Sequence, residues 1–337
     1  MNSLELVTAA VKLEPLEKIP HFEWLIDKLV IDALMPGGHS FEEFSAAFTD
    51  AVCVDIDYTK ENLPDGTFRD EWGMLKKYTQ ESHSFPLEGP IHNMEELEAY
   101  TPPDPYKKGR FKTLEDMLAR YGKDKAVILH MNDIWSIPSR LMAYEDFLCN
   151  IMEEPEFIKA LLKMTVDAQI LLAQEAKKTG CKFIYTGDDV ADSNGPTISP
   201  AIFEEIFYPE LKRIIGAYKD LGFFVLKHCD GYLMALLDYY LDAGIDLLDP
   251  IDPIAGMDLK HMKDTYGSRI AIKGNVNCAT TLVFGSVDET VEETRRCIDI
   301  AKGTSGYICS SSNSIHSSVK PANYKAMLEV INEYGRY

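Results

Sequence analysis

His228 and Asp230 stand two residues apart in FFVLKHCDG, residues 223 to 231, where apolar side chains give way to a histidine, a cysteine, an aspartate and a glycine. A neutral imidazole and a carboxylate are ligands for a divalent cation such as zinc, and the same pair can pass a proton. Successive side chains of a strand point to opposite faces, so His228 and Asp230 share one face and Cys229 takes the other. With 228 and 230 inward, the metal pair is His228 plus Asp230, and Cys229 packs beneath a helix. A catalytic zinc needs a third protein ligand, which the sequence leaves open. Without a metal, the two form a hydrogen-bonded pair at a strand end.

The stretch that carries this pair is one of seven that start apolar and end polar. The others are AVCVDID (51 to 57), AVILHMND (126 to 133), CKFIYTGDD (181 to 189), IDLLDPIDP (245 to 253), RIAIKGNVN (269 to 277) and GYICSSSN (306 to 313). Short apolar runs buried on both faces read as parallel strands. Helical patterns lie between them. Ser199 and Pro200 open one that Gly222 closes, Ser286 and Glu289 form a capping-box signature, and a periodic stretch from Pro155 stops at Gly180. Alternation of this kind requires parallel pairing through right-handed crossovers.

The expected fold is therefore α/β, a (β/α)8 TIM barrel formed by a single domain over residues 1–337. Residues 1–50 read as an N-terminal helical extension, and 60–95 as a short strand-and-turn excursion. Seven strands are visible where the barrel needs eight, and the eighth is sought within 60–95. A doubly wound sheet is the alternative, but no GxGxxG or GxxxxGK[ST] follows any strand.

Barrel enzymes build their sites at the C-terminal strand ends. Here those ends carry Asp57, His130 with Asp133, Asp188 with Asp189, His228 with Asp230, Asp249 with Asp252, Asn275 with Asn277, and Ser311 with Asn313. So many polar groups converging on one mouth are costly to desolvate unless they bind something, which argues for a ligand site. One of Asp188 and Asp189 is expected to cap the following turn. Trp72, Trp135 and Cys309 read as packing residues.

Composition narrows the partners. A net charge of -20, from 34 basic and 54 acidic residues, repels nucleic acid and anionic membrane surfaces. No stretch approaches the roughly 18 to 20 apolar residues of a membrane span. The first twenty residues lack a basic start followed by an apolar run, so no secretory signal is expected. The seven cysteines are odd in number, with neither CxxC nor a disulfide framework, which suits a cytoplasmic protein with reduced thiols.

Five stretches carry a resemblance: GDDVADSNGPTISPAIFEEIFYPELKRII, HCDG, DPIDPIAGMDLKHMKDTYG with IKGNVN, GYICSSSNSIHSSVKPANYKAMLEVINEYGRY, and more weakly DGTFRDEWG. In these the chain resembles the uroporphyrinogen decarboxylase superfamily, and within it the corrinoid-dependent methyltransferase branch. The resemblance implies a TIM barrel. The decarboxylases hold a polycarboxylate tetrapyrrole with an arginine-bearing N-terminal segment, whereas the first arginine here is Arg69. Thiol-methylating members of the other branch hold zinc with His-x-Cys at this strand end and a cysteine on the last strand. The corresponding positions here are His228, Asp230 and Asn313, so both thiolates are absent.

An oxygen-richer site is harder and better suited to polarising an ether oxygen than to binding a thiolate. The function implied is an O-demethylase: a methyltransferase that takes a methyl group from a methoxylated, aromatic compound and passes it to the Co(I) corrinoid of a partner protein. In that reading His228, Asp230 and Asp188 are catalytic, with zinc at His228 and Asp230. Asp57, His130, Asp133, Asp189, Asp249, Asn275 and Asn313 bind substrate. No DxHxxG cobalamin motif is present, so the corrinoid arrives from outside. The alternatives are transfer from a methylcorrinoid protein to a thiol or tetrahydrofolate, and a decarboxylase-like or non-catalytic small-molecule-binding barrel. A homodimer is compatible with each.

Overall fold

The computed structural model describes residues 1–79 and 84–337. Each of the seven apolar segments forms a strand, and the seven pair in chain order in one parallel sheet: β1 Ala51–Val54, β2 Ala126–Met131, β3 Phe183–Gly187, β4 Phe224–His228, β5 Leu247–Asp249, β6 Ala271–Val276 and β7 Tyr307–Ser311. Helices fill the crossovers, among them Pro155–Lys177, Tyr208–Asp220, Val287–Ala301 and Pro321–Tyr334. The capping box before Val287 forms: Ser286 Oγ accepts the Glu289 N–H at 3.2 Å, and the Glu289 carboxylate accepts the Ser286 N–H at 2.7 Å.

Alternation along the strands separates two apolar layers. Cys53, Ile128, Phe183, Leu226, Leu247 and Ile308 fill the inside of the curled sheet. Ile184, Val225, Leu248 and Ile272 point outward and pack with helix residues such as Leu161 and Ile214. Among the described residues no helix is long and apolar enough to cross a membrane. The cysteines are free, and all but Cys149 are buried.

The eighth position in the wall is filled from the N-terminal side, not from residues 60–95. His21 bridges Cys309 of β7 in parallel. The Cys309 N–H donates to the Pro20 carbonyl at 3.0 Å, while the Asp50 N–H, just ahead of β1, donates to the His21 carbonyl at 2.7 Å. Residues 20 and 21 are thus hydrogen-bonded to both free edges of the sheet. Phe22 turns into the interior, and His21 reaches outward to within 3.3 Å of the Tyr324 hydroxyl. Pro20 lacks a ladder donor and the segment is short, so it does not read as a strand from pattern alone.

Residues 60–95 instead hold an antiparallel sheet of Lys60–Asn62, Thr67–Asp70, Leu75–Lys77 and Phe85–Glu88. Its charged, largely exposed side chains have no place in a barrel wall. This sheet is seated closely on the helix Ser136–Leu141. The Ile91 N–H donates to the Leu141 carbonyl at 3.0 Å, and a Cβ on Gly89 would lie 2.2 Å from that oxygen.

Candidate functional site

Register brings the inward residues of three strands together. His228 is level with Asp249 on β5 and Gly187 on β3, and Leu226 is level with Tyr185. Asp249, fully enclosed, accepts hydrogen bonds from His228 Nδ1 at 2.9 Å, from Lys273 Nζ at 2.7 Å, and from the Tyr185 hydroxyl. Burial acts against its charge, but Lys273 and His228 outweigh that and hold its carboxyl below the ordinary range. With Nδ1 committed to Asp249, the imidazole presents Nε2 to the cavity above, the arrangement by which carboxylates orient metal-binding histidines.

His228 Nε2 lies 3.5 Å from Asp230 Oδ1 and 3.7 Å from Asp189 Oδ1. One ligand atom from each of Asp189, His228 and Asp230 falls within 4.8 Å of the others. Asp230 Oδ2 accepts the Asn313 amide, and the Asp230 N–H donates to Asp189 Oδ1 at 3.0 Å. Asp230 Oδ1 is buried with no hydrogen-bond partner among the described residues. Burial disfavours the His228 imidazolium, yet Asp230, the Asp249 hydrogen bond and Asp189 raise its pKa to about 9. Burial in turn lifts the Asp230 carboxyl to about 6, against the pull of His228.

These residues fit a divalent cation. An imidazole nitrogen and two carboxylate oxygens make a three-ligand set with room for a further ligand, and a cation would give Asp230 Oδ1 the partner it lacks. Asp189 stands where it would supply the third ligand that the sequence left open. Because the cation must displace the proton on His228, apparent zinc affinity is expected to rise about tenfold per pH unit from pH 7 and to level off near pH 9. Competition against a chromogenic chelator measures this; a flat profile would remove His228 from the ligand set.

Gly231 sets the direction of Asp230. Its φ is +93°, and a Cβ there would lie 2.6 Å from the Asp192 carbonyl oxygen, a backbone atom with little freedom to yield. Gly231→Ala is expected to lower stability by about 2 kcal/mol in denaturant melts and to weaken zinc binding at least tenfold. Stability and affinity both at wild-type level would show that the turn tolerates a side chain.

Above the cluster lies a cavity of about 330 Å³. Trp24 walls it, with its ring centroid 5.6 Å from that of His228 and 5.8 Å from that of His130, and it stacks on Tyr185 at 6.4 Å. His130 is tied through Nδ1 to Asp55 at 2.8 Å. Ser136, Arg140 and Asp189 line both this cavity and a second of about 540 Å³, which is bounded by Phe85, Leu87, Trp135 and Met142.

Of the residues singled out from sequence, His228, Asp230, Asp189, His130 and Asn313 meet at the cavity, and Asp249 lies directly beneath. Asp188 and Asp133 do not join them, and the assignment of Asp188 as catalytic is corrected. On β3, Phe183 and Tyr185 point inward, so Asp188 falls on the outer side. There it accepts the Asp133 N–H at 2.6 Å and the Ser136 N–H. Lys227 Nζ bonds Asp133 Oδ2 at 2.6 Å and the Asp188 carbonyl at 3.3 Å. Burial and the neighbouring Asp188 push the Asp133 carboxyl up to about 8; burial acts the same way on Asp188, but its hydrogen bonds and Lys227 bring it below the ordinary range.

Two more assignments to substrate move elsewhere. Asp57 accepts the Thr113 N–H at 2.8 Å and hydroxyl at 2.7 Å in the first turn of the helix Lys112–Tyr121. Asn275 donates to the Ile251 carbonyl at 2.8 Å and accepts from Cys297 Sγ. Cys229 is buried 4.0 Å from the Tyr240 hydroxyl. Trp135 packs on Phe147 and Phe207, and it also borders the larger cavity.

Sequence reasoning missed Trp24, Tyr185, Lys273 and Arg140. Tyr185 and Lys273 carried a signal, since a hydroxyl and an ammonium inside apolar strands must find partners when buried. Trp24 carried none, because its segment was not recognised as part of the wall.

A family model described as uroporphyrinogen decarboxylase (URO-D) matches residues 75–334. The uroporphyrinogen decarboxylase of Syntrophotalea carbinolica is 24% identical over 184 residues, 53% of this chain and 50% of that protein. The methylcobamide:CoM methyltransferase MtaA of Methanosarcina barkeri is 22% identical over 180 residues, 53% and 51% of the two chains. The chain spans about half the length of the curated relatives it matches. A solved methyltransferase from Methanosarcina mazei shares the fold, with a TM-score of 0.77 at 19% identity over 99% of both chains. With the family model covering the chain from the antiparallel sheet to the last helix, this protein belongs to the uroporphyrinogen decarboxylase family.

Proposed function

We propose that the protein is a corrinoid-dependent methyltransferase that demethylates a methoxylated aromatic compound and delivers the methyl group to the Co(I) corrinoid of a partner protein. The observation that carries this reading is the cluster of Asp189, His228 and Asp230, which contains no thiol and faces a cavity walled by Trp24 and Tyr185. Likeness to methyl-transferring relatives supports the chemistry, and the donor set supports the substrate class.

In the reaction the bond between methyl carbon and ether oxygen breaks, its electron pair stays on the oxygen, and the corrinoid supplies the pair for the new bond to methyl. The leaving phenolate departs poorly unless its developing charge is neutralised. Asp189, His228 and Asp230 would hold zinc, which when bound supplies Lewis acidity at the ether oxygen. The chain's own work is orientation. Asp249, fixed by Lys273 and Tyr185, locks the His228 ring, and the Asn313 amide locks Asp230. Trp24 offers a flat face to an aromatic ring.

A thiol acceptor suits this site less well, because oxygen ligands favour hard partners over thiolates. A polycarboxylate porphyrinogen suits it least, because Asp189 and Asp230 would repel it. The test is anaerobic incubation of the protein with cob(I)alamin, zinc and a panel of methoxybenzenes, followed in the visible spectrum. Appearance of methylcob(III)alamin supports the proposal. No change with any donor, when a corrinoid protein is also supplied, rejects it in favour of methyl transfer from a methylcorrinoid protein to a thiol or tetrahydrofolate.

A further inference from the structure

On β2 the inward series that includes Ile128 continues to His130, which is level with Tyr185 and lines the smaller cavity. The half-buried ring is held from several directions. Asp55 takes Nδ1 at 2.8 Å, and the ring centroids of Trp24 and Tyr185 lie 5.8 and 6.3 Å away. Nε2 sits over the backbone of Gly187, where an added Cβ would come within 3.0 Å of it. With Nδ1 on a carboxylate, Nε2 is the nitrogen left to exchange a proton with the cavity. It makes no hydrogen bond with the described residues. The Asp55 side chain is 84% exposed, so the far side of the pair meets solvent.

We infer that His130 is the general acid of the methyl transfer, giving its Nε2 proton to the ether oxygen as the methyl group leaves. The inference rests on the function proposed above and deepens it. A phenolate departs poorly, and a proton arriving on its oxygen removes the developing charge. His228 is not available as the donor, because as a ligand of a cation it must be deprotonated. Other groups of the cavity are also committed. The Tyr185 hydroxyl is bonded to Asp249 and the Ser136 hydroxyl to the Gly187 carbonyl, and the Arg140 guanidinium does not release a proton. Among the described residues that line the cavity, His130 is the one imidazole outside the ligand cluster. The ether oxygen has two lone pairs, so one faces Asp189, His228 and Asp230 while the other accepts the proton. In the step the bond from oxygen to methyl carbon breaks with its pair left on oxygen, and the Nε2–H bond breaks with its pair left on nitrogen. The proton closes a neutral phenol, and the corrinoid's pair forms the bond to methyl. The neutral ring then recovers its proton from solvent. Asp55 is the positioning residue, keeping Nε2 toward the cavity.

The experiment supplies wild type, His130→Gln, His130→Ala and Asp55→Asn with zinc, cob(I)alamin and methoxybenzenes whose para substituents run from methyl to cyano, so that the leaving phenol becomes steadily more acidic. Single-turnover rates at saturating donor are read from methylcob(III)alamin. His130→Gln is expected to slow the para-methyl compound by about 10²- to 10³-fold, and the loss should be at least about tenfold smaller for the cyano compound, whose oxygen needs the proton less. Asp55→Asn should lose about tenfold with the same trend along the series. An unchanged rate in His130→Gln, or a loss of equal size across the series, would overturn the inference, since a merely structural residue does not sense the acidity of the phenol. Should the glutamine variant not fold, His130→Ala decides: added imidazole is expected to raise its rate at least about tenfold, and no rescue would overturn the inference. If wild type demethylates none of these donors, the proposed function falls and the inference with it, whereas turnover indifferent to His130 rejects the inference alone.

Discussion

Replacing His228 with alanine is expected to lower methyl transfer about 10³-fold and to remove tight zinc binding. The residue supplies the one nitrogen of the cluster, and neutralising the leaving oxygen accounts for factors of roughly 10² to 10⁴ where it has been isolated. The variant also leaves Asp189, Asp230 and Asp249 without the positive charge that they surround. A pH series separates the chemical from the structural effect. The folded pKa of His228, about 9, lies above the ordinary value of 6.5, so its contribution to stability is full below about pH 6.5 and is lost as pH rises through 9. Metal-free wild type should therefore lose stability over that interval, and His228→Ala should show a shallower slope. A variant that transfers methyl at the wild-type rate would displace His228 from the centre of the site.

The second large effect is expected at Lys227, which touches no part of the cavity. Its ammonium is enclosed between sheet and helices, bonded to Asp133 and the Asp188 carbonyl, and lies over the Tyr240 ring at 5.4 Å. Lys227→Met keeps most of the volume but leaves two buried carboxylates without their cation. Breaking a buried pair in this way costs about 3 to 5 kcal/mol. The lower end is expected, because Asp133 holds a proton readily. Urea melts measure the loss, and adding Asp133→Asn should recover part of it. A loss under 1 kcal/mol would mean that the carboxylates find other partners. Lys227 and Asp188 directly precede His228 and Asp189 in the chain, so fastening the outer pair also fixes the inner one.

Strand period was enough to place His228 and Asp230 inward and Cys229 outward, because the side-chain alternation of β4 continues through the end of the strand. The same rule applied to β3 separates Asp189 from Asp188, and the sequence reading set it aside when it favoured Asp188. Asp57 and Asn275 misled for another reason. A polar residue at a strand end looks the same whether it faces a ligand or completes a helix terminus or a neighbouring carbonyl, and only the distant Thr113 and Ile251 decide between these. The barrel itself was legible from seven apolar segments alternating with helices. Its eighth position was not, since a two-residue bridge beginning at a proline carries no period.

The wall formed at residues 20 and 21 also orders events in time. Those residues bond to Cys309, and Ile26 bridges Ile315, so contacts at opposite ends of the chain complete the enclosure. Pairings this remote in sequence bear the greatest loop-closure cost and belong to the late stage of assembly. A growing chain that has made six strands is a curved sheet with an open edge, its Trp24 facing nothing and its Asp230 without Asn313. The recess is enclosed only once the strand at Cys309 meets the segment at His21, nearly three hundred residues away in sequence.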